Sequence, residues 1–230
     1  MTAPDTDAKR VVELIERGRR GESPPGSATE AQPGEYTLND LIRLAIEFHG
    51  FPVPGTLIAV FMADWALELM PETKRMGTVI ENWLCLPSGI HTVLRYRLGK
   101  TQFRVQDLHK IACTFYDKDT GLGYRIHLDS RRTPEFPTID HWFRRLLDHS
   151  LPKGERWAPV SLQVLEARRK VLTATPIRMT TRELGIETPV IACDQCEELF
   201  LSTGDTTCRS CEVGHYYELR DLDETGRSSS

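Results

Sequence analysis

The stretch Glu47-Phe48-His49-Gly50-Phe51-Pro52-Val53-Pro54-Gly55 leaves the chain little choice: one helix must end in it and another must begin. Upstream, Leu41, Leu44, Ala45 and Phe48 form an apolar row at helical spacing, and Ile42, Ala45, Ile46 and His49 form an adjacent one, so this helix reads as apolar nearly all round and buried. Gly50 can take the positive φ that closes a helix, Pro52 and Pro54 forbid its continuation, and Thr56 is placed to accept from the first free amides of the next helix. Downstream, Ile58, Phe61, Met62, Trp65 and Leu69 repeat as an amphipathic helix, with Asp64 and Glu68 turned outward. A tight helical corner results, with His49 on its buried ridge. Two readings of His49 follow: a ring satisfied by a backbone carbonyl, or one that lines a site.

The compact domain begins near Tyr36, where Thr37 and Asp40 have capping-box spacing. Beyond the corner, Gly77 to Cys85 reads as a strand containing Val79 and Ile80, and Leu86-Pro87-Ser88 starts a second buried helix through Ile90, Val93 and Leu94. Cys85 then ends a strand just before a helix N-terminus, a position that favours thiolate and suits a metal ligand or nucleophile; an inert core cysteine is the alternative. His91, inside the following helix, either points to the same place or faces solvent. Alternating Phe103-Arg104-Val105, Ile111 to Tyr116, and Tyr124-Ile126-Leu128, with a Gly-containing loop at Asp117–Gly123, describe an antiparallel meander with one buried face and Cys113 in its inward row. Ile139 to Leu147 and Ser161 to Thr173 read as helices. Arg144-Arg145 and Arg168-Arg169-Lys170 read as solvated helix faces. A formal net charge of −4 and the lack of interleaved aromatics argue against nucleic acid as a partner.

The tail carries the sharpest chemical signal. Cys193-x2-Cys196 is followed after eleven residues by Cys208-x2-Cys211, two knuckles able to present four thiolates tetrahedrally. So short a segment has too little core to fold alone, and zinc coupled to folding supplies the deficit. Iron, or two disulfides, are the alternatives. Four protein thiolates leave no open coordination position, so this zinc is structural. His215 is a spare donor expected to be exposed. The expected organisation is a flexible leader over 1–35, a core domain over 36–188, a zinc finger over 189–220 and a disordered tail over 221–230. With no signal-like segment or spanning helix in it, the sequence reads as cytoplasmic, with no membrane partner.

Several pieces together look like the formylmethanofuran dehydrogenase E-subunit family. They are the corner Ala45 to Gly55, Cys85-Leu86-Pro87, Lys110-Ile111-Ala112 leading into Thr114-Phe115-Tyr116-Asp117, Thr120-Gly121-x-Gly123, and the four-cysteine finger, in that order. The resemblance implies an α+β fold, an antiparallel sheet packed with helices, plus a small C-terminal treble-clef-like zinc finger. It also implies a homodimer and a metal-capable polar site in the core. The family's corner reads His-Gly-His-x-Cys-Pro-Gly. Here His49, Gly50, Pro54 and Gly55 match, while Phe51 replaces the second histidine and Val53 the cysteine; Cys85 matches the family's second cysteine. His49 and Cys85 thus remain as ligands, with His91 as a third candidate. The expectation is an accessory protein whose core pocket binds a metal ion or a small metal-containing cofactor through His49, Cys85 and His91. Two alternatives stand beside it: a cysteine- and histidine-dependent enzyme acting on a small molecule, for which the sequence offers no complete triad or phosphate loop, and a zinc-finger interaction module.

Overall fold

The structure, a computed structural model, describes residues 12, 13, 15, 16, 37–95, 103–180 and 188–214. Apart from those first four residues, the expected leader lies outside the described residues, as do 96–102, His215 and the expected tail 221–230. Ile15 is helical and fully buried in the core. The chain divides into two compact units, 1–180 and 181–230.

In the first unit, helix α1 (Leu38–His49) opens with the capping box: the Asp40 N–H donates to Thr37 Oγ1 at 3.2 Å and the Thr37 N–H to Asp40 Oδ2 at 3.0 Å. It closes at Gly50, whose φ of 80° is left-handed and whose N–H donates to the Ile46 carbonyl. Ile42, Leu44, Ala45 and Ile46 are buried, but Phe48, expected in the buried row, is 58% exposed. The last turn runs past the core, and the Phe48 ring stacks on His91 instead, with centroids 4.8 Å apart. The helix is therefore amphipathic rather than apolar all round.

Helix α2 (Pro54–Leu69) is the centre of the unit. Every residue from Pro54 to Ala63 is buried, so the helix is covered on all sides over nearly three turns. Its N-cap is Val53, and Thr56 does not cap as expected: its hydroxyl donates to the Cys85 carbonyl at 3.2 Å. Being three residues inside the helix, Thr56 faces a neighbouring segment rather than the free amides. The corner is tied down from outside, since the buried Ser161 hydroxyl donates to the Pro52 carbonyl at 3.0 Å.

Against α2 lies a sheet of β1 (Met76–Ile80), β2 (Phe103–Val105), β3 (Ala112–Asp117), β4 (Leu122–Leu128) and β5 (Leu172–Arg178), in the order β2-β1-β3-β4-β5. β2 runs parallel to β1; the other pairs are antiparallel. The register places Ile80, Cys113 and Ile126 side by side on the inward face, and Phe115, Leu128 and Leu172 join them in the core. Cys113 is fully buried, and burial pushes its thiol far up, as suits an inert core residue. The β3–β4 turn forms around the Asp117 carboxylate, which accepts from the Asp119 and Thr120 N–H groups at 2.9 Å each.

Five sequence expectations are corrected here. β1 stops at Ile80 rather than running to Cys85, because Asn82 Oδ1 accepts the Leu84 N–H at 2.9 Å and turns the chain away. Helix α5 (Lys153–Ala167) begins well before Ser161, since the exposed ring of Pro159 is tolerated inside it. Leu172–Arg178 is an edge strand and not the end of a helix: a 3-10 turn, Arg168–Val171, intervenes, started by Arg168 at φ 49°. Arg169 in that turn is no solvated residue, for its guanidinium pairs with Asp64 and Glu68 of α2. Helix α3 (Leu86–Leu94) packs on α2, and helix α4 (Pro137–Phe143) is shorter than expected. The architecture is α+β.

In the second unit, β6 (Val190–Ala192) and β7 (Leu199–Leu201) form an antiparallel hairpin, and helix α6 (Arg209–Val213) follows.

Candidate functional site

The described residues of the second unit bury only Cys193, Ser202 and Cys208, so its interior is largely sulfur. Cys193 and Cys196 stand in the knuckle after β6, whose bend uses Glu197 at φ 62°. Cys208 is the N-cap of α6 and Cys211 lies within it. All four sulfurs lie within 4.8 Å of one another. The Cys196–Cys208 separation is 3.8 Å, which is the sulfur–sulfur edge, roughly 3.8 Å, of a tetrahedron with metal–sulfur bonds of about 2.3 Å. Cys193 Sγ accepts the Cys208 N–H at 3.2 Å and the Gln195 N–H at 3.5 Å. Those amides pull the Cys193 thiol down, whereas burial and then the neighbouring sulfurs push Cys211 up. A divalent cation bound among the four sulfurs would favour their thiolate forms. The donor set and spacing fit zinc.

In the first unit, Cys85 caps α3 and sits where α2 and α3 cross. Gly55 makes the crossing possible, since a Cβ there would lie 2.9 Å from Cys85 Cβ. His49 Nδ1 is 2.9 Å from Ser88 Oγ in the first turn of α3, so His49 and Cys85 are both held at one helix end. Burial lowers the His49 pKa, favouring neutral imidazole. Burial also raises the Cys85 thiol, with Lys153 offsetting part of the effect, so the thiolate expected from the helix end is disfavoured: desolvation outweighs the nearby positive charge. His91 leans on Phe48 with its Nδ1 buried and lacking a hydrogen-bond partner. Among the described residues, the tail cysteines alone form a cluster of three or more donors of metal-binding size, so His49, Cys85 and His91 are not gathered into one.

What Cys85 does border is a cavity of about 430 Å³ at the end of β1. The 81–85 turn contributes Asn82, Leu84 and Cys85, and the 106–111 segment contributes His109 and Ile111. The chain after α4 supplies Arg145, Leu147 and His149; α4 itself supplies Trp142 and Phe143, and the first turns of α5 supply Arg156 and Trp157. His49 and His91 do not line it. Sequence reasoning missed His109, Arg145, His149, Arg156 and Trp157. Only the adjacent pair Arg156-Trp157 gave a local hint.

The family model described as "FmdE, molybdenum formylmethanofuran dehydrogenase operon" matches residues 48–180. The chain belongs to the FmdE family. No curated protein matches it. A solved structure similar to it is that of a tungsten formylmethanofuran dehydrogenase FmdE-like protein from Syntrophus aciditrophicus, 27% identical, with a TM-score of 0.58, over 83% of this chain and 100% of that one. The FmdE match contains His49, Cys85 and the whole cavity lining, and it ends at Thr180, the last residue of the first unit. The four cysteines lie beyond it. FmdE membership and the four-sulfur cluster together make the chain a candidate metal-binding accessory protein. Among the described residues, no helix is long and apolar enough to cross a membrane.

Proposed function

We propose that the chain is a cytoplasmic FmdE-family accessory protein, serving a formylmethanofuran dehydrogenase, in which the two units divide the metal chemistry. The tail holds a structural zinc through Cys193, Cys196, Cys208 and Cys211. The core takes a small metal-containing cofactor at Cys85 on the cavity wall; His49, outside the cavity lining but held at the same end of α3, is the second donor this reading calls for, and His91, also outside the lining, stays at the periphery. The placement of Cys85 on the cavity wall, with His49 hydrogen-bonded to Ser88 in the first turn of the helix that Cys85 caps, carries this reading. Ser88 engages His49 Nδ1 and leaves Nε2 as the atom for a metal. Two protein donors cannot complete a coordination sphere, so the guest brings ligands of its own. The raised Cys85 thiol weighs against a thiolate-dependent enzyme.

A homodimer belongs to the same reading. Trp83, Leu84 and Leu146 are 64%, 72% and 64% exposed, a concentration of apolar surface near the cavity lining that a second copy would cover.

Metal analysis separates the two sites. In a Cys193→Ser/Cys196→Ser protein, metal taken up with the cofactor that is lost on adding His49→Ala or Cys85→Ser supports the core site. Uptake indifferent to both residues overturns it. Light scattering of the purified chain decides the dimer.

A further inference from the structure

The core cavity has a one-sided polarity. Its charged lining groups are Arg145 and Arg156, and no carboxylate lines it, although the chain as a whole has more acidic than basic residues. Arg156 Nη1 lies 3.0 Å from His149 Nδ1. A guanidinium can only donate, so Nδ1 accepts and the His149 ring carries its proton on Nε2, becoming a further donor. Arg156 Nε is buried and has no acceptor, the kind of donor that an absent partner satisfies. Two of the five described non-glycine residues with left-handed backbone are His109 (φ 56°) and Arg145 (φ 58°), both on this wall, and such conformations collect at ligand sites. Asp107 accepts the His109 N–H at 3.0 Å and lies 3.4 Å from His109 Nδ1, and Asp148 accepts the Ser150 N–H at 2.9 Å and hydroxyl at 2.7 Å while also feeling the Arg156 charge, so the carboxylates near the cavity are hydrogen-bonded outside its lining. Apart from Asn82 the remaining wall is mostly apolar and includes the indoles of Trp142 and Trp157, with the Arg156 guanidinium and Lys153 Nζ each 5.7 Å from the Trp157 ring centroid.

We propose that this cavity selects an anionic aromatic small molecule, its ring system between Trp142 and Trp157 and its anionic oxygens on Arg145 and Arg156. The volume of about 430 Å³ falls within the range of small-molecule sites, roughly 300–1,000 Å³. The unpaired Arg156 Nε and the two guanidinium charges favour a guest that offers anionic acceptors, and the indoles favour a planar face. The inference rests on the reading of this cavity as the core guest site and names the chemistry of its guest.

The test titrates the full chain with 2-naphthoate and with its neutral counterpart 2-naphthalenemethanol, following tryptophan fluorescence. The naphthoate is expected to bind at least tenfold more tightly than the alcohol. Arg145→Gln and Arg156→Gln should each weaken naphthoate at least tenfold and leave the alcohol unchanged; circular dichroism checks that each variant is folded, and Arg156→Lys, which keeps the charge, serves if Arg156→Gln is not. Equal affinity for the two probes, naphthoate affinity indifferent to both arginines, or no naphthoate binding at millimolar concentration overturns the proposal. Naphthoate carries no metal, so the two readings fail separately. Naphthoate selectivity without core metal uptake ends only the metallocofactor reading. Core metal uptake without that selectivity ends only this inference.

Discussion

At the scale of single residues, Cys85 combines a protected thiol with an address on a cavity wall. Gly55, by lacking a side chain, leaves room for its Cβ, the Thr56 hydroxyl holds its carbonyl, and burial keeps its sulfur protonated at neutral pH. Its alkylation by iodoacetamide, mapped by mass spectrometry, should be slow at pH 7 and should rise only above its ordinary value of 9.0. Fast alkylation at neutral pH would mean that the helix end outweighs desolvation. Asp129 is the opposite case. It accepts from Arg131 Nη2 at 2.8 Å, Arg131 Nε at 3.0 Å and Thr173 Oγ1 at 2.7 Å, and the Arg131 guanidinium, then Thr173, hold its carboxyl well below the usual carboxylate range. A lowered folded pKa stabilises the fold above the unfolded value of 3.8 and ceases to do so as pH falls toward the folded one. Asp129→Asn should cost about 1.5 kcal/mol in urea unfolding at pH 7, the low end for bonds to a charged group because Arg131 is exposed. That difference should shrink steadily below pH 3.8.

At the scale of elements, the α2–α3 crossing depends on having no side chain at Gly89. A Cβ there would lie 2.4 Å from the Thr56 carbonyl oxygen and 2.7 Å from Ala59 Cβ. Gly89→Ala should cost about 3 kcal/mol, because backbone cannot give way as a side chain can. Gly50→Ala meets nothing within 4 Å and pays only for its positive φ, about 1 kcal/mol. Equal urea midpoints for the two variants would contradict this assignment. The corner was legible in the sequence because its causes are local: Gly50 supplies the φ, and Pro52 and Pro54 stop propagation. The four-cysteine spacing was legible for the same reason. β5 was not, since the left-handed Arg168 that breaks α5 carries no sequence mark. The cavity was least legible. Cys85, His109, Arg145 and Arg156 meet only because three connecting segments and a helix start converge at the end of β1, and no periodicity encodes a convergence across such sequence distances.

At the scale of the whole molecule, the two units have different sources of stability. The first buries a continuous apolar core around α2. The second, in its described part, buries two cysteines and a serine, so a metal at the four sulfurs would be coupled to its folding. Removing zinc with a strong chelator should therefore make 181–230 protease-sensitive while the helical circular dichroism and cooperative melting of 1–180 persist. Collapse of both together would show that the core depends on the tail. X-ray absorption at the zinc edge of the purified chain is the most direct test of the closed four-sulfur centre. Four sulfur scatterers at about 2.3 Å and nothing lighter are expected; a nitrogen or oxygen ligand in that shell, or the absence of zinc, would contradict it.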